Sequence, residues 1–190
     1  MNAAVVQVPR RSISVGEYHA MIASGILDED EHVELLEGDL ALTTPQHPAH
    51  ARTIQRLTRL LVSSLDERFA VLPQLPLTLD ERNEPEPDLA VVPAREAASA
   101  ESHPRSALLV VEVARESLRK DREVKAAVYA RAGILECWIV NLADGCIETY
   151  EDPDRQAATY RVQVAWGRGK VLAASSLPDV SVDVSALLDD

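Results

Sequence analysis

Residues 107–114 read Ala-Leu-Leu-Val-Val-Glu-Val-Ala, and this stretch decides the architecture. A short run that is apolar on both faces belongs in the middle of a sheet, covered on each side. The one exception in it is Glu112. An unpaired carboxylate buried at such a position costs several kcal/mol, so it needs a cation, a metal or a proton. The alternative is a glutamate at the strand end that reaches solvent or pairs with Arg119.

Upstream, Asp88 follows Pro87 and opens a second apolar run, residues 88–92. If the two runs pair as antiparallel strands, the register that matches Val92 to Leu108 also matches Asp88 to Glu112. Side chains so opposed share a face, with Cβ atoms about 4.5–5.5 Å apart. Two like charges at that distance repel unless a divalent cation lies between them. Taken alone, Asp88 also reads as a turn residue after proline.

Downstream, a helix is expected from Ser117 to Ala132, closed by Gly133 as its C′ residue. Lys125 shares a helix face with Asp121 and Tyr129. Two readings stay open: a surface pair with Asp121, or an ammonium group aimed at a phosphate or an attacking water. Lys120, five residues earlier, falls about 140° round an ideal helix and on another face.

Further out, Ser14 and Glu17 form a capping-box signature for a helix to about Ser24. The segment 32–42 reads as a hairpin turning about Gly38. Residues 49–68 place Ile54, Leu57, Leu60, Leu61 and Leu65 at helical spacing, with Arg52, Arg56 and Arg59 as a basic stripe. Strands are expected at 69–72 and 75–79, an exposed loop at 93–105, and a hairpin of 137–142 with 146–151. Shorter strands follow at 158–164 and 170–173, then a closing turn at 184–188. The expected fold is α/β, a mixed sheet with flanking helices, with residues 1–13 a flexible tail and 14–190 one domain.

Composition narrows the function. Apolar residues make up 46% and aromatics 4%, so Leu, Val, Ile and Ala build the core. The formal net charge of −12 argues against general binding of a polyanion, since that rests on neutralising phosphates. A local exception is the basic cluster Arg115, Arg119, Lys120, Arg122, Lys125 and Arg131. There is no phosphate-binding glycine loop and no Gly-x-Ser-x-Gly. His47 and His50 have no further Cys or His ligands near them to make a zinc site. Cys137 and Cys146 lie in apolar strands without an activating base, and they fit a reducing compartment. No apolar run approaches the ~20 residues that span a bilayer. A soluble, cytoplasmic protein with no membrane partner is expected.

The ordered set Glu34-Leu-Leu-Glu-Gly-Asp39, His50, Pro87-Asp88, Val111-Glu112-Val113, Asp121-x-x-x-Lys125-x-x-x-Tyr129-x-x-x-Gly133 and Cys137-Trp-Ile-Val-Asn141 resembles the Uma family of the PD-(D/E)XK nuclease superfamily. The resemblance runs from about Ser14 to Leu188. It implies a restriction-endonuclease-like core, a homodimer, and an Mg²⁺- or Mn²⁺-dependent endonuclease acting on nucleic acid, with DNA the expected substrate. Asp88 and Glu112 would be metal ligands, with the Val113 carbonyl a third. The wider superfamily has a lysine two residues after the glutamate, where this chain has Ala114; the family pattern takes it from the next helix, which matches Lys125. Glu34 and His50 match family positions and, with Asp121, are possible accessory residues. Where the family often turns through Ser-Pro after the glutamate, this chain reads Ala114-Arg115-Glu116-Ser117. Arg52, Arg56, Arg59, Arg115, Arg119, Lys120 and Arg122 are the candidates for the nucleic-acid backbone. Two alternatives are a catalytically inactive binding protein on the same fold and a hydrolase of smaller phosphate esters.

Overall fold

The apolar runs assemble into one six-stranded sheet. A computed structural model describes residues 11–28, 31–43, 47–99, 102–177 and 179–189; the tail expected at 1–13 falls largely outside them. The sheet order is β3 (Phe69–Pro73), β4 (Leu89–Pro93), β5 (Leu109–Ala114), β6 (Glu136–Asn141), β7 (Cys146–Asp154) and β8 (Thr159–Gly167). All neighbours are antiparallel except β5 and β6. The central strand is β5, buried at every position. The β4–β5 register pairs Leu89 with Val111 and Val91 with Leu109, the alignment expected from the sequence.

Strand alternation then sorts the core. Leu89, Val91, Leu109, Val111 and Val113 point to one face, against Ile54, Leu57 and Leu61 of α2 (Pro48–Ser64). Also on that face are the small β9–β10 ladder (Val171–Ala173 with Ser181–Asp183) and α6 (Val184–Leu188). Ala90, Val92, Val110 and Ala114 point the other way, against Tyr129, Ala130 and Ile134. That second face is covered by the crossover joining β5 to the parallel β6. It consists of α4 (Leu118–Lys120), a π-helical turn (Asp121–Lys125) and α5 (Ala126–Ala132), ending on left-handed Gly133.

The N-terminal part stands apart from the main sheet. Helix α1 (Val15–Ala23) begins with the expected Ser14/Glu17 capping box. The hairpin of β1 (Val33–Leu36) and β2 (Asp39–Leu42) turns through Glu37 and Gly38, both with positive φ. It docks on the loop before β4: Leu35 and Glu84 exchange backbone hydrogen bonds, and Gly38 N–H donates to the Arg82 carbonyl.

Several boundaries differ from expectation. Residues 75–79 form no strand. Pro73 and Pro76 lack donors, and the Leu77 and Thr78 amides bond to Pro85 and Pro104, not to a ladder. Helix α2 stops at Ser64, because Asp66 takes the Arg68 amide and guanidinium into a local turn. The 93–105 loop contains a short helix, α3 (Ala94–Ala97), and the closing turn at 184–188 is a helix capped by Asp183. Strand β8 runs on to Gly167. Among the described residues no helix is long and apolar enough to cross a membrane.

Candidate active site

The loop into β4 and the end of β5 open onto a cleft of ≈ 730 Å³. Asp88 is fixed there by its backbone and by its side chain. Its carbonyl accepts from Gln74 N–H, and its Oδ2 accepts from Val113 N–H at 2.7 Å. The ring of His50, on α2, brings Nε2 to 3.1 Å from the same oxygen, while its buried Nδ1 has no hydrogen-bond partner among the described residues.

Glu112 comes from the middle of the sheet on the face that meets α5. Its Oε1 accepts from Tyr129 OH at 2.5 Å and from Lys125 Nζ at 2.9 Å. Burial pushes its carboxyl up to about 8, Asp121, Asp88 and Glu34 add to that, and Lys125 pulls the other way. Lys125 Nζ also lies 3.1 Å from Glu34 Oε2 and 3.4 Å from the Glu86 carbonyl. An ammonium has three protons, and here each has an acceptor. Burial alone would lower the Lys125 pKa, but Glu112, Glu34 and Asp121 together hold it above its usual value. Lys125 thus sits as a buried partner of Glu112, Glu34 and the Glu86 carbonyl. The surface pair with Asp121 is thereby corrected: Asp121 is itself buried and takes its hydrogen bond from Ser117 Oγ at 2.6 Å.

Glu34, carried on the β1–β2 hairpin, is almost fully buried. It accepts from Lys120 at 2.8 Å, from Lys125, and from Glu86 N–H at 3.2 Å. The expectation that Lys120 faces away from Lys125 fails at the π turn. Asp121 O accepts from Ala126 N–H, five residues on, and this wider turn brings residues 120 and 125 to the same carboxylate.

Five carboxylates (Glu34, Glu86, Asp88, Glu112, Asp121) line the cleft against two lysines, which leaves an excess of three negative charges when all are ionised. That donor set, with the Val113 backbone at its edge, suits a hard divalent cation. Among the described residues no three His, Cys, Asp or Glu side chains come together as a metal cluster.

The basic candidates separate. Arg52, Arg56 and Arg115 line a neighbouring cleft of ≈ 440 Å³, where Arg56 also donates to the Leu187 carbonyl. Arg59, Arg119 and Arg122 line neither cleft; Arg119 pairs with Glu123 and Arg122 with Glu148. Sequence reasoning placed Tyr129 on the right face but missed its bond to Glu112. The signal was its position four residues after Lys125, on a face that is otherwise core.

Residues 15–185 match the Uma2 family model, described as "Putative restriction endonuclease". This chain belongs to the Uma2 family. No curated protein matches it. The Uma2 chain is similar in structure to a solved protein titled a putative nuclease belonging to DUF820, from Anabaena variabilis ATCC 29413. The TM-score is 0.73 over 93% of this chain and 97% of that one, at 10% sequence identity. At that identity the likeness is one of fold, a restriction-endonuclease-like α/β core. In this chain Asp88, just before β4, and Glu112, within β5, line the same cleft.

Proposed function

We propose that this protein is a metal-dependent endonuclease that hydrolyses phosphodiester bonds in DNA. The observation that carries the reading is the cleft itself, which Asp88 and Glu112 line together beside the buried Lys125. Membership of a family described by nuclease activity supports it. Asp88, Glu112 and the Val113 carbonyl would hold Mg²⁺ or Mn²⁺, which would supply Lewis acidity to the phosphodiester and to the attacking water.

The remaining work falls to the chain. The Val113 amide fixes the Asp88 carboxylate, and Tyr129 fixes that of Glu112. Lys125 reaches both Glu112 and Glu34, so two buried carboxyl groups stay oriented without a ligand. Arg52, Arg56 and Arg115 would receive the backbone of the same nucleic acid beside the reacting phosphate.

We also propose a homodimer in the cytoplasm. Strand β8 is an outer strand with Val162 and Val164 exposed at 44% and 41%, and such an edge is a place for a second copy to pair. The free cysteines Cys137 and Cys146 fit a reducing compartment. Sedimentation at micromolar concentration tests the dimer, and a 20.8 kDa species removes it.

Supercoiled and single-stranded DNA, incubated with and without Mg²⁺ or Mn²⁺, tests the activity. Cleavage that needs the metal and is lost in Glu112→Gln is the expected result. DNA binding without cleavage under every condition would leave a binding protein on a nuclease fold.

A further inference from the structure

Two ammonium groups meet one carboxylate at Glu34, and they differ in what else they can reach. Lys125 is 4% exposed, and its protons are divided among Glu34, Glu112 and the Glu86 carbonyl. Lys120 keeps 28% of its side chain exposed and lines the same cleft. Among the described residues Glu34 is its one hydrogen-bond partner.

A phosphodiester entering this cleft brings a negative charge to a place already rich in carboxylates, so it needs a cation free to turn towards it. If Lys125 turned, it would strip a partner from buried Glu112 or buried Glu34, and a stranded buried charge is strongly destabilising. If Lys120 turned, Glu34 would still hold Lys125 and the Glu86 amide. The π turn is what makes this possible. In an unbroken α-helix, residues five apart face about 140° away from each other. Here Lys120 and Lys125 converge, and π turns of this kind recur at functional sites.

We propose that Lys120 is the side chain that touches the reacting phosphate, and that Lys125 is a positioning residue that stays inside the protein. Glu34 parks Lys120 at the mouth of the cleft until a phosphate takes it over. The proposal rests on the nuclease reading above and assigns the substrate contact within it.

The test uses the full chain, a short fluorescein-labelled DNA duplex and Ca²⁺ in place of Mg²⁺, with binding followed by anisotropy over a salt series. Lys120→Ala should weaken binding and flatten the slope of log K against log salt by about one unit, the signature of one lost phosphate contact. Lys120→Arg should restore the slope, and Mn²⁺ should bind both variants no more weakly than wild type. Lys125→Met should keep the wild-type slope while its thermal midpoint falls; if it does not fold, the Lys120 pair decides alone. In a Mg²⁺ cleavage assay, Lys120→Ala should lose roughly a hundredfold in single-turnover rate. A wild-type slope in Lys120→Ala overturns the assignment and leaves the nuclease reading standing. A wild type that binds no DNA, with either metal, overturns both.

Discussion

Lys125 illustrates how far a residue's setting can change its meaning. On an exposed helix its removal would cost under about 1 kcal/mol. Here it is the shared counter-ion of Glu34 and Glu112, all three nearly inaccessible. Lys125→Met should therefore cost about 3–5 kcal/mol in urea unfolding, the range for breaking a buried pair. A cost near zero would return it to the surface. Glu112 makes a second prediction, through pH. Its folded-state carboxyl is raised from 4.5 to about 8, so between those values the folded chain holds a proton that the unfolded chain releases. Without metal, that contribution to stability is complete below 4.5 and is lost as pH climbs through about 8. Glu112→Gln cannot titrate and should show a flatter stability profile over this window; identical slopes in both proteins would refute the assignment. The β4–β5 register was legible in the sequence because apolar alternation fixes it, and register decides which residues share a face. The burial of Lys125 was not legible. Helical spacing offered Asp121 as a partner, whereas the ion pairs go to Glu112 in the sheet and to Glu34, distant in the chain.

Elements carry the next set of consequences. The hairpin that delivers Glu34 turns at Gly38, with φ of +78°, and a Cβ there would lie 2.6 Å from Ser12 Cβ and 3.1 Å from the Ile13 carbonyl. Gly38→Ala should thus cost more than about 1 kcal/mol, from the left-handed backbone and the close approach together. Denaturant unfolding checks this, and Gly16→Ala is the control, since its Cβ would meet nothing closer than 4.0 Å. This hairpin was readable from Glu37-Gly38 between apolar runs. The π turn was not, because a single widened turn leaves no mark in residue types; only the convergence of Lys120 and Lys125 on Glu34 exposes it. Residues 75–79 misled for a related reason. Their apolar character reflects the burial of Leu77, while the prolines around them withhold the donors a ladder needs.

For the molecule as a whole, charge and metal belong together. A chain with net charge −12 whose cleft is lined by five carboxylates and two lysines would be relieved by a cation bound only when folded. Mn²⁺ or Mg²⁺ should raise the thermal midpoint, by about 2.7 kcal/mol of stability when the metal is at a hundred times its dissociation constant. Asp88→Asn should abolish most of that rise. An equal rise in Asp88→Asn and wild type would move the cation elsewhere. The architecture itself was read outward from a single strand, since β5 is apolar on both faces and so had to be central. The separation of the N-terminal hairpin from the main sheet was not readable, because the same apolar alternation marks a strand in either sheet.

Glu34 and Lys120 are 86 residues apart along the chain. Their contact, and that with Lys125, closes a loop spanning much of the molecule, and contacts of such long range slow folding and tend to arrive late. The cleft would then be the last part of the protein to be assembled, after β4 and β5 have already paired. Glu34→Gln should accordingly speed unfolding and leave the refolding rate nearly untouched. If refolding slows instead, the cleft takes part in the folding nucleus, and the protein builds its site before it completes its sheet.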